Sequence, residues 1–349
     1  MVAWSPSASR AAEESPAIGG TLLAESVPFQ PSSVYAEPID LPGIEPIQID
    51  NEPMFRVAGL ADDVIPRPED VEQTADPGQM KLPPGVRKGF FQRASFTSTY
   101  LPRFSDDGLG ITDLEASLTF GFPFFRRDTP LLVTPRFAVH YLDGPAAPEL
   151  PPRLFDASVD FTHLRKFGDG PWAMNVGVNL GHYSDFEQSS SDAFRVSGRG
   201  FAVYEGTPGR KWVMGVVYAN RAGASVFPAV GVTLEPNPDT KYELIFPRPR
   251  IAKRIASTGP PGLDERWVYL GGEFGGGIWA FEPDSAPGTT DVVSYSDLRI
   301  LAGYERKVAG GLSHRFEFGY VFARELEYES GIPDFTLDDS LLARIAITY

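Results

Sequence analysis

The stretch Asp113-Leu114-Glu115-Ala116-Ser117-Leu118-Thr119-Phe120-Gly121-Phe122 alternates without a break between polar or small residues and apolar ones. Side chains two apart on a strand share a face. Leu114, Ala116, Leu118, Phe120 and Phe122 therefore make an apolar side, and Asp113, Glu115, Ser117 and Thr119 a polar one. The same period recurs along the chain. Phe155, Ala157, Val159 and Phe161 alternate with Asp156, Ser158, Asp160 and Thr162, and Leu298, Ile300, Ala302 and Tyr304 with Asp297, Arg299, Leu301 and Gly303. A period of two identifies strands with one apolar and one polar face. Ordinary strands have about five or six residues, whereas a tilted strand that crosses a membrane needs about nine to eleven. These runs are of the second kind.

Composition agrees. Gly 35 and Pro 33 together fill about a fifth of the 349 residues, which argues against long uninterrupted helices. Aromatic residues reach 12%, as suits many strands joined by turns. There is no cysteine, which excludes disulfides, thiol catalysis and Cys-ligated metal. The four histidines, His140, His163, His182 and His314, lie far apart, so the residues point to no metal ion and no cofactor. A net charge of −15 makes a nucleic-acid partner unfavourable. No run of eighteen apolar residues is present, so no transmembrane helix is expected.

The charge is concentrated at one end. Residues 1–85 carry 14 acidic and 4 basic side chains and 13 prolines. With no sustained hydrophobic period, they read as an acidic, proline-rich disordered arm. Residues 86–349 carry the strands. Short links such as Gly168-Asp169-Gly170 alternate with longer ones at 142–153 and 184–192, as in outer-membrane barrels, where the strand count is normally even. The expectation is an all-β fold: an antiparallel transmembrane β-barrel of 12 or 14 strands. The count is open around Lys241–Ile255, where Pro247 and Pro249 interrupt the pattern.

The chain finishes Leu341-Leu342-Ala343-Arg344-Ile345-Ala346-Ile347-Thr348-Tyr349. Leu341, Ile345, Ile347 and Tyr349 share a face, and this segment is expected to close the barrel. A final strand ending in an aromatic residue resembles the assembly signal of bacterial outer-membrane barrels, which implies barrel-assembly machinery and outer-membrane lipid as partners. The competing fold is a soluble β-sandwich binding module, which also alternates. It would have to absorb Asp113, Glu115, Asp156, Asp160, Arg195, Arg199, Arg299, Glu305 and Arg344 on faces that are not wet. In a barrel these nine charges face the lumen.

Residues 86–349 also resemble an uncharacterised family of Gram-negative outer-membrane β-barrel proteins, a domain of unknown function. The segments that carry the resemblance are GFFQRASFTSTYLP, DLEASLTFGFPF, TPLLVTPRFAVHYLDGP, WVMGVVY, GVTLEPNPDTKYELIFPRPRI and LLARIAITY. It implies an outer-membrane location with the arm in the periplasm, and it transfers no catalytic residue. Such a protein needs a signal peptide, and the opening MVAWSPSASRAAEESP has neither a basic nor an apolar leader region. Opposed acidic and basic walls suit a passive channel for an unidentified solute, or a structural barrel without covalent chemistry.

One enzymatic alternative is visible. His182 and Ser184 are two apart on the face of Val176, Val178 and Leu180. The imidazole could take the hydroxyl proton there. The pair resembles the His-x-Ser of outer-membrane phospholipases and lipid A deacylases, although Asp185 and Phe186 follow where the phospholipase pattern has Asn-Gly. A third group to orient the ring would also be needed.

Overall fold

The computed structural model describes residues 90–349 apart from 107, 125, 146–147, 169, 188–190, 220–224, 261 and 331. The expected arm, 1–85, lies outside the described residues. The strands are β1 (Phe91–Leu101), β2 (Gly110–Phe124), β3 (Arg126–Asp143), β4 (Arg153–Lys166) and β5 (Trp172–Ser184). A 3-10 turn at Ser191–Ala193 leads into β6 (Phe194–Thr207), β7 (Arg210–Ala219), β8 (Ser225–Asn237), β9 (Thr240–Ile245) and β10 (Arg250–Ser257). Then come β11 (Asp264–Phe281), β12 (Asp291–Val308), β13 (Ser313–Tyr328), a short β14 (Phe335–Leu337) and β15 (Ser340–Thr348).

Each strand from β1 to β13 pairs antiparallel with the next, and β15 lies between β13 and β1. The sheet thus closes on itself as a barrel of 14 staves, with β14 an outlying ribbon on β13. The three strands β8, β9 and β10 between β7 and β11 resolve the count in favour of 14. A closed single sheet also disposes of the sandwich, since there are no two layers to press their apolar faces together. The C-terminal segment closes the ring as expected, with Tyr349 and Ala94 exchanging backbone hydrogen bonds of 2.9 Å.

Most links sort by length, 246–249 and 258–263 being the exceptions. Residues 208–209, 238–239 and 309–312 lie at the end of the barrel that carries residue 90 and Tyr349, here the turn end. Links 102–109, 144–152, 185–193, 282–290 and 329–339 lie at the opposite, loop end. The alternation read from the sequence holds: Asp113 and Glu115 are buried inside, while Leu118 and Phe122 stand exposed outside.

The wall is uneven. β10 stops pairing with β11 at Gly271, ten residues short of the β11 end at Phe281. Beyond that point β11 keeps β12 on one flank and bends on the other toward β5. Ala280 there lies opposite Ser184 in a parallel contact, and the Asp185 N–H donates to the Ala280 carbonyl at 3.3 Å. Gly276 permits the bend. It has φ 118°, and a Cβ there would lie 2.0 Å from the Tyr295 carbonyl oxygen. The Gly275-Gly276-Gly277 run is thus a kink in a strand that continues.

Candidate functional site

The barrel interior holds the chemistry. The nine charged residues read as lumen-facing are all buried, none more than 8% exposed. Burying so many charges requires partners for each, and the register supplies them.

Glu273 on β11 is the hub. Its carboxylate accepts from Arg344 on β15 at 2.7 Å and from Arg299 on β12 at 3.1 Å. Arg248, from the link before β10, donates to it as well. Arg299 also forks onto Asp297 at 2.7 and 2.8 Å, and Arg344 reaches Glu317 on β13 at 2.9 Å. Planar guanidinium forks suit this duty, since each can serve two carboxylates at once. Nearer the turn end, Arg250 donates to Glu305 at 2.7 Å and stacks 3.9 Å over the Tyr269 ring.

The facing wall has its own network. His140 on β3 sets Nδ1 2.7 Å from Asp113 and Nε2 3.3 Å from Asp156. The Trp279 indole N–H, carried across by the bent end of β11, donates to Asp156 at 2.7 Å. Arg199 on β6 lies 3.1 Å from Asp160 and donates to Thr162, and Arg136 lies 3.6 Å from Glu115. Arg195 is buried near the top of β6.

Above these networks the loop end is apolar. Leu101, Leu109, Leu154, Leu326, Leu337 and Leu342 pack with Trp279, Tyr295 and Tyr328 into a plug. Beneath it a cavity of about 20 Å³ is bordered by Asp113, His140 and Arg299, room for about one water. Arg324 is tied in by Tyr295 Oη at 2.9 Å and by the Asp338 carbonyl at 2.9 Å. Over the plug, Ser285 Oγ donates to Glu149 at 2.6 Å, and this bond holds the Glu149 carboxyl below its ordinary value.

The His182–Ser184 pair lies at the loop end of β5. Ser184 Oγ is 3.3 Å from His182 Nδ1 and accepts the Phe186 N–H at 3.1 Å. The Phe186 ring stacks on the imidazole, centroids 5.2 Å apart and planes 12° from parallel. Among the described residues no carboxylate stands beside the ring to orient it. Ser184 itself is 1% exposed, beneath the β11 crossing.

Sequence reasoning missed Glu273, Glu317, Asp297 and His140 as network members. Each sits at an inward parity of its strand, which was the available signal. The convergence of Arg248, Arg299 and Arg344 on one carboxylate depends on barrel closure, which no local pattern states.

A closed antiparallel barrel with short turns at one end and long links at the other, built round an ion-filled lumen, defines the class. A family model described as "Domain of unknown function (DUF6268)" matches residues 143–257, from the end of β3 to the end of β10. No curated protein matches. Among solved structures, the Salmonella typhi OmpF complex with daunomycin is similar at 10% identity and TM-score 0.31, over 74% of this chain and 96% of that one. A Rh. blastica porin mutant is similar at 9% identity and TM-score 0.27, over 75% and 99%. Pseudomonas aeruginosa OpdK with vanillate is similar at 7% identity and TM-score 0.25, over 75% and 99%.

Proposed function

We propose that this protein is an integral barrel of the Gram-negative outer membrane with a self-filled lumen, acting through its wall and surface rather than as a standing water path. The observation that carries this is the inversion of inside and outside. Arg324, Lys211 and Arg344 are buried, while Phe318, Leu270, Ile300 and Phe316 are between 47% and 63% exposed. That arrangement suits hydrocarbon outside and a polar interior. The even stave count brings residue 90 and Tyr349 to the turn end, the periplasmic end of such barrels. On this reading the 1–85 arm is periplasmic and β15 is the segment that assembly machinery engages.

The test is insertion followed by conductance. Purified protein should float with phosphatidylcholine vesicles and then show no porin-sized steps in planar bilayers. A barrel that stays in the aqueous fraction defeats the location, and steady open-channel current defeats the filled lumen.

A second reading, lipid hydrolysis, is favoured by the 3.3 Å contact of Ser184 with His182. Its test is lipid hydrolysis in mixed micelles. Activity abolished by Ser184→Ala would establish it, and activity unchanged by that substitution, or none at all, would remove it.

A further inference from the structure

The exterior between β10 and β13 changes character in three successive rungs, read from loop side to turn side. The first is apolar: Ile251, Leu270, Ala302 and Phe318 stand opposite one another across the four strands. Leu270 and Phe318 are 63% and 59% exposed, and Ala302 between them is only a methyl. This notch opens a concave groove of about 880 Å³ on the barrel surface. Two residues nearer the turn end, Lys253 stands opposite Val268, with Tyr304 and Phe316 beyond. Two further on comes Arg266, opposite Arg306.

Lys253 is exposed on a face otherwise apolar, and among the described residues it has no carboxylate partner. A cation on a hydrocarbon-facing wall is unfavourable unless it lies near the interface or meets an anion. Arg306 is occupied by Asp264, at 2.7 and 2.9 Å. Arg266 stands beside that pair, its charge also acting on Asp264, on the same side as Lys253. From the apolar notch to Arg266 is four residues, about 13 Å along a strand.

We infer that this groove is a binding site for one anionic glycerophospholipid of the periplasmic leaflet. An acyl chain lies in the notch at Ala302 and the phosphate is held by Lys253 and Arg266. The inference rests on the outer-membrane reading and adds the ligand class. Charge complementarity selects the occupant, because the cations stand at one end of the groove only, as a lipid with one anionic end requires.

The probe is phosphatidylglycerol against phosphatidylcholine, each titrated onto delipidated full-length protein and followed by native mass spectrometry. The expected result is one retained phosphatidylglycerol per barrel and weaker, non-stoichiometric phosphatidylcholine. Lys253→Ala with Arg266→Ala should lower phosphatidylglycerol affinity about thirtyfold. Ala302→Phe should fill the notch and lower binding of both lipids. Arg210→Ala, an exposed cation at the turn end of β7, should change nothing. Equal retention of the two lipids, or full phosphatidylglycerol binding by the double variant, overturns the site. Vesicle flotation of the same samples separates the two failures. Protein that inserts without preference sinks this site alone, and protein that does not insert sinks the location with it.

Discussion

The two levels of the lumen are filled in opposite ways by one sheet with one period. At the loop end the inward positions of β1, β13 and β15 are Leu101, Leu326 and Leu342, packed as in a soluble core. Toward the turn end, two residues along β1 and β15 and nine along β13, Arg344 donates to Thr99 and Glu317 and ties them to the Glu273 hub. The apolar level needs only volume, because dispersion and exclusion of water are non-directional. The ionic level needs geometry, because each buried charge must be matched. One level should therefore tolerate repacking, and the other should not.

The sharpest way to break this contrast is Glu273→Ala. It leaves Arg248, Arg299 and Arg344 short of a shared anion, and should destabilise the barrel by about 3–5 kcal/mol, read as the shift in the urea midpoint for loss of the heat-modifiable form. Leu342→Ala, at a fully buried plug position, should cost about 2–4 kcal/mol, with Leu342→Met close to neutral. If Leu342→Met proves as damaging as Glu273→Ala, the contrast between the levels is wrong. Gly276→Val should cost about 1–3 kcal/mol, through its positive φ and the approach to the Tyr295 carbonyl. Its signature is loss of protection of the Asp185 amide in hydrogen exchange. The smallest effect concerns pH. The folded Glu149 carboxyl lies below its ordinary 4.5, so its latch on Ser285 is present above that value and is lost as pH falls through the lower, folded one. Amide exchange at Ser285 should rise in that acid window and nowhere above it. An unchanged rate would show that the loops are held by the Tyr328 Oη contact with the Glu149 carbonyl instead.

Much of this was legible in sequence. The alternation at Asp113–Phe122 states which side chains face inward, and closure by Leu341–Tyr349 follows from parity and pairing. The count was not legible, because β9 has six residues, bounded by a link with Pro247 and Pro249, and a short strand carries little periodic signal. Nor was the β11 crossing. Its residues Ile278 to Phe281 read as ordinary strand, while the clusters they join include Ala193, Leu154 and Tyr328, remote in the chain. The ionic hub was hidden for the same reason: charge type and parity are local, but which charges meet is decided by closure.

The contact between Ala280 and Ser184 has a topological consequence. It gives the sheet two circumferences, fourteen staves around one rim and a shorter circuit through β1–β5, β11–β13 and β15 around the other. The five strands β6 to β10 become a bay that the narrow rim bypasses.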